Sequence, residues 1–97
     1  MYKNIDKIKL NKMINSEDDI LLLDIRTKEE FEEQSIPKAI NIPLSTLLFN
    51  ISEIEEYKYK SVIVYCRSGH RSITACSLLS MEGFEKLYNL EKGILEY

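Results

Sequence analysis

Two short apolar runs, Ile20-Leu21-Leu22-Leu23 and Val62-Ile63-Val64-Tyr65, end abruptly at Asp24 and Cys66. Neither run alternates with polar residues, so a strand built from either is buried on both faces. Stretches with helical spacing lie before, between and after them. Apolar strands alternating with helical segments argue for α/β architecture, a parallel sheet covered by helices on both faces. In such sheets, sites form in the loops at the carboxyl ends of strands. Asp24 and Cys66 both stand at such ends, so chemistry is expected between their two loops.

The remaining pattern fills in the elements. Residues 5–14 place Ile5, Ile8, Met13 and Ile14 near one face, which predicts a short amphipathic helix. Thr27-Lys28-Glu29-Glu30 has the form of a capping box and predicts a helix over 28–34 with Phe31 inward. Ile36-Pro37 cannot continue it, because the residue before proline is pushed to extended geometry. Residues 39–42 read as a short strand closed by Pro43. Ser45 is expected to cap a helix carrying Leu47, Leu48, Ile51 and Ile54, with a break near Asn50-Ile51-Ser52. The segment 71–82 predicts a helix with Ile73, Ala75, Cys76, Leu78 and Leu79 inward, stopped by Gly83. Residues 86–89 read as a further strand and 93–97 as a last helical turn. At 97 residues, without linker, repeat or low-complexity tract, the chain is expected to form one domain over 1–97.

Cys66 carries the strongest chemical signal. Arg67, Gly69, His70 and Arg71 follow it at once, placing a thiol in a short cationic loop between a strand and a helix. Gly69 permits a tight curve, the loop amides can form a nest, and the helix start adds partial positive charge. These features predict a Cys66 pKa well below the free value of about 8.5, and the thiolate is the nucleophile. The same nest could hold a persulfide, which needs no metal and no organic cofactor. A free cysteine after a strand is often only a small core residue, and Cys76, beside Ala75 on an apolar helix face, reads that way. Cys66, Cys76 and the single histidine, His70, have no metal-ligand spacing. Cysteine phosphatases place one more residue between cysteine and arginine than the four between Cys66 and Arg71. The tighter cup favours a sulfur atom over a phosphoryl group.

A formal net charge of -3 argues against general nucleic-acid binding. No apolar run approaches the roughly 18 residues of a membrane span. The first residues lack a signal peptide's apolar core, and two cysteines fit a reducing compartment, so a cytoplasmic protein is expected.

Four stretches together resemble the rhodanese homology domain. They are Leu23-Asp24-Ile25-Arg26 with Glu29-Glu30-Phe31, then Ile36-Pro37-Lys38-Ala39-Ile40-Asn41-Ile42-Pro43, then Cys66-Arg67-Ser68-Gly69-His70-Arg71-Ser72, and finally Asn89-Leu90-Glu91-Lys92-Gly93-Ile94. The resemblance implies a rhodanese-like fold with a central five-stranded parallel sheet and helices on both faces. It implies a sulfurtransferase in which Cys66 takes sulfane sulfur from thiosulfate, a persulfide or a polysulfide. The sulfur would pass to cyanide, a thiol or a protein acceptor. Arg67, Ser68, Gly69, His70, Arg71 and Ser72 would cradle the sulfur, and Asp24 and Arg26 would organise the loop. The alternative is a regulatory or redox-sensing module of the same fold that does not turn over. Lys38 stands where the family often has glycine, Lys92 replaces the first glycine of the closing motif, and Gln34-Ser35 replaces a Gly-His pair. Glu30 and Ser68 stand where some thiosulfate-using members carry basic residues. A Glu30–Arg71 pair across the two loops is expected to reduce the field available to a dianionic donor.

Overall fold

Every residue of the strand Ser61–Tyr65 is buried, and this strand lies at the centre of the sheet. The computed structural model describes residues 1–16 and 19–97. Its strands are β1 (Tyr2–Ile5), β2 (Ile20–Asp24), β3 (Ile40–Asn41), β4 (Ser61–Tyr65) and β5 (Lys86–Leu90). They pair in parallel throughout, in the order β1-β5-β4-β2-β3. Side chains alternate across the pleat, so the central run supplies both cores. Val62, Val64 and Cys66 face α3 (Arg71–Met81) and the kinked 3-10 segment Leu44–Tyr57, packing with Leu47, Ile54, Ala75, Cys76 and Leu79. Ile63 and Tyr65 face the other way, toward Leu10 and Met13 of α1 (Lys7–Ser16), Ile36, and Ile94 of the closing turn Gly93–Glu96. Helical segments therefore cover both faces. Among the described residues no helix is long and apolar enough to cross a membrane.

Several expectations need correction. Tyr2–Ile5 is a strand, so the first helix starts at Lys7 rather than at residue 5. Pairing with β5 makes it one, with Tyr2 opposite Leu87 and Ile5 opposite Leu90. Asp6 then fixes the start of α1, its carboxylate accepting the Lys9 amide at 2.8 Å. Ile8 is 66% exposed, and the inward face of α1 is Leu10 and Met13. Ile73 also lies outward, at 37% exposure. Ser45 caps nothing: the 3-10 segment begins one residue earlier, behind Pro43, without a side-chain cap. The expected break is present at Asn50, whose φ of -122° interrupts the segment. The capping box is also present. Thr27 Oγ accepts the Glu30 amide at 3.2 Å, and Glu30 Oε1 accepts the Thr27 amide at 3.0 Å. It opens the short helix α2 (Lys28–Glu33), which buries no residue fully, so Phe31 is only half-buried.

Candidate active site

Parallel register brings the ends of β2, β4 and β5 together. Asp24 pairs with Tyr65, Val64 with Asn89, and Asn89 in turn with Asn4 of β1. The loop from Cys66 to α3 rises from this edge. Cys66 is 1% exposed, with its sulfur inside the turn. The Gly69 amide donates to Sγ at 3.1 Å, and Ser72 Oγ lies 3.5 Å from it at the start of α3. Gly69 has no room for a side chain, since a Cβ there would lie 1.8 Å from the Glu91 carbonyl oxygen. Burial pushes the Cys66 thiol up. The Ser72 hydroxyl and the amides of Ser72, Gly69 and Ser68 together outweigh burial and hold the thiol below its ordinary value. The expected direction is present, but hydrogen bonds rather than the loop's cations lead it.

The cations are placed differently from one another. Arg67 and His70 are exposed, and Ser68 Oγ lies 3.1 Å from His70 Nδ1. Arg71 turns away to Glu30, with Nη1 on Oε1 and Nη2 on Oε2, both at 3.0 Å. The Arg71 guanidinium lowers Glu30 to about 2, from an ordinary 4.5, against a smaller opposing effect of burial. The pair inferred from the sequence is therefore formed.

Asp24 and Arg26 meet as a buried ion pair at 2.7 Å, and Arg26 also donates to the Gln34 carbonyl at 2.5 Å. Burial alone would lower Arg26, but the hydrogen bonds and charge of Asp24 raise it overall. These contacts join β2 to α2. Their link to the Cys66 strand is indirect, through the Ile25 amide on the Tyr65 carbonyl at 3.1 Å and the Arg26 guanidinium 5.7 Å from the Tyr65 ring.

Two supports did not stand out as site residues in the sequence. The Ile94 and Leu95 amides donate to the carbonyls of Cys66 and Arg67, at 3.0 and 3.1 Å, and brace the loop from the closing turn. Asn89 reaches the middle of the loop and the start of α3 from β5, donating to the Gly69 carbonyl at 3.3 Å and accepting from the Ser72 hydroxyl. Asn89 and Ile94 lie in the closing motif, which marked the segment but not the contacts they make. Cys76 is fully buried and pushed up to about 12 by burial, so it stays a protonated core thiol. Among the described residues no cluster of three potential metal ligands occurs.

A groove of about 390 Å³ lies beside the loop, lined by Arg26, Glu30, Arg67, Leu95 and Tyr97 among others.

A family model described as rhodanese-like domain matches residues 6–97. A sulfurtransferase of Allochromatium vinosum is 37% identical over 97 residues, spanning 100% of this chain and 89% of that protein. The crystal structure of a rhodanese-related protein from Thermoplasma volcanium superimposes with a TM-score of 0.82 at 32% identity, covering 97% of this chain and 88% of that one. A tRNA uridine(34) hydroxylase of Cronobacter sakazakii is 31% identical over 83 residues, which make up 81% of this chain but only 24% of that protein.

Proposed function

The chain belongs to the rhodanese-like domain family, and we propose that it transfers sulfane sulfur through a persulfide on Cys66. The observation that carries this reading is the position of Sγ inside a closed turn, 3.1 Å from the Gly69 amide. Such a turn stabilises anionic sulfur. With a persulfide donor, the thiolate attacks the outer sulfur. A new S–S bond forms on Cys66, the donor's own S–S bond breaks, and its electron pair leaves on the donor thiolate. With thiosulfate the leaving group is sulfite. A cyanide or thiolate acceptor then takes the outer sulfur, and the electron pair returns to Cys66. No net oxidant is needed.

The Glu30–Arg71 pair bears on the donor. It cancels one cation near the loop, which favours persulfide or polysulfide donors relative to dianionic thiosulfate. It also argues against phosphoryl transfer, because the arginine that would clamp a phosphate is already held bidentately by a carboxylate. The groove beside Arg67 offers an approach for a small thiol or for a segment of a protein acceptor.

Incubation with thiosulfate or a polysulfide should add the mass of one sulfur to Cys66, and cyanide should remove it as thiocyanate. Cys66→Ala should abolish both. Full turnover in Cys66→Ala would overturn the proposal. So would sulfenic acid formation without any sulfur turnover in the folded, reduced protein, which is the behaviour of a redox-sensing module.

A further inference from the structure

Behind the catalytic loop lies a buried polar chain that sulfur chemistry alone does not require. Asn89 is 1% exposed. Its Nδ2 lies 3.3 Å from the Gly69 carbonyl oxygen, which can only accept, and 3.0 Å from Asn4 Oδ1. The amide orientation follows, and it turns Asn89 Oδ1 toward the Ser72 hydroxyl. A carbonyl oxygen cannot donate, so Ser72 must give its one proton to Asn89. Ser72 Oγ then presents lone pairs to Sγ at 3.5 Å. In that orientation Ser72 suits a thiol, which donates its own proton to it; the hydroxyl favours the thiolate only after rotating to give the sulfur its proton.

We propose that Asn89 is a positioning residue that competes with the Cys66 sulfur for the single proton of the Ser72 hydroxyl. When Cys66 ionises, the hydroxyl rotates to the sulfur and leaves Asn89 Oδ1 buried without a donor, an unfavourable state. When a second sulfur is attached, the bridging Sγ carries no formal charge and the negative charge moves outward to the loop amides. Ser72 can then return its proton to Asn89. Asn89 therefore holds back the bare thiolate and favours the thiol and the loaded persulfide. This last consequence rests on the sulfur-carrier reading of Cys66, whereas the proton competition does not. The charged and titratable groups around the loop are Arg71 with Glu30, Arg26 with Asp24, Arg67 and His70 on the loop, and Glu91 and Lys92 on the turn after β5. All are retained in the variants below.

The test is the pH dependence of Cys66 alkylation, read on the Cys66 peptide by mass spectrometry. Asn89→Leu should lower the midpoint by about one pH unit, because the Ser72 proton is no longer contested. Asn89→Asp, nearly isosteric and a stronger acceptor, should raise it. In a Ser72→Ala background there is no proton to contest, so Asn89→Leu should leave the midpoint where Ser72→Ala alone puts it. A midpoint in Asn89→Leu that is unchanged or raised would overturn the proposal, as would a shift that persists undiminished without Ser72. Should Asn89→Leu fail to fold, Asn89→Asp decides. A rise of the same size with and without Ser72 would be a simple charge effect and would overturn the proposal equally. Cyanolysis of the unaltered protein is read separately. Alkylation shifts as expected with no thiocyanate formed would sink the sulfur-transfer reading and leave the proton competition standing.

Discussion

At the scale of single residues, the Glu30 carboxylate decides how Arg71 is used. Its Oε1 receives the Thr27 amide and Arg71 Nη1, and Oε2 receives Arg71 Nη2, so one side chain caps α2 and restrains the loop cation. Glu30→Gln keeps a capping acceptor and removes the charge. Arg71 is then free to act on an anionic donor, and thiosulfate kcat/KM should rise by roughly 3–10-fold, as expected for one additional unpaired charge near the reacting atoms. No rise, with persulfide use unaffected, would separate Arg71 from donor choice. The same carboxylate makes a pH prediction. Its folded-state value lies near 2 and its ordinary value at 4.5, so its contribution is complete above pH 4.5 and is lost as pH falls between 4.5 and about 2. The side chains of Arg71 and Glu30 are 41% and 30% exposed, so screening limits this contribution to about 1 kcal/mol. Urea titrations of Glu30→Gln should differ from the parent near pH 6 and converge with it near pH 2.

At the scale of elements, the closing turn is the brace of the loop. Gly93 has φ +60°, and a Cβ there would meet the carbonyl oxygens of Arg67 and Cys66 at 2.3 and 2.6 Å. Gly93→Ala should cost roughly 2–4 kcal/mol of stability from backbone strain and overpacking. It should also slow Cys66 alkylation at neutral pH, because the clash falls on the carbonyls that anchor the loop. Unchanged alkylation in a destabilised variant would show that the turn holds the fold but not the sulfur. The preceding residue tells the converse. Lys92, where the family resemblance leads one to expect glycine, adopts φ -104°, where any residue is comfortable. Lys38, where the same resemblance leads one to expect glycine, sits at φ +73°, so a side chain there carries strain. Local chemistry was legible in the sequence: the capping box, the break at Asn50 and the buried runs of β2 and β4. The strand β1 was not, because only Ile5 of its four residues is buried and its pairing partner lies more than eighty residues away. Helical spacing gave faces for α1 and α3 without fixing their rotation, which is why Ile8 and Ile73 turned outward. Cys66 could be picked out from its neighbours in the chain. Asn89 could not, since its part depends on Ser72, 17 residues distant, and on Asn4, 85 residues distant.

At the scale of the whole molecule, the Asp24–Arg26 pair stands where the chain passes from β2 to everything beyond it. The Arg26 amide and guanidinium close on the Asp24 carboxylate, and the guanidinium reaches Gln34 past α2. Asn41 of β3 donates to the carbonyls of Asp24 and Arg26 at 3.0 and 2.9 Å. The Leu44 amide donates to Ile25 at 2.9 Å and starts the 3-10 segment. Removing one charge strands the other in a site where the two side chains are 6% and 0% exposed. Asp24→Asn and Arg26→Met should therefore each cost about 3–5 kcal/mol, a large share of the 5–15 kcal/mol typical of a domain. The double variant Asp24→Asn/Arg26→Met should cost less than the sum of the two, because no lone charge remains buried. Urea unfolding of the four proteins measures this cycle, and single variants losing under 1 kcal/mol would remove the pair from the account of the fold. Sulfur turnover per folded molecule then distinguishes the pair's two possible roles. The hydrogen bonds of Arg26 end at Asp24 and Gln34 rather than at Sγ, so turnover should be retained in every variant that folds. A loss of turnover in a fully folded variant would mean that the end of β2 acts on the sulfur itself, through Tyr65 and the loop that follows it.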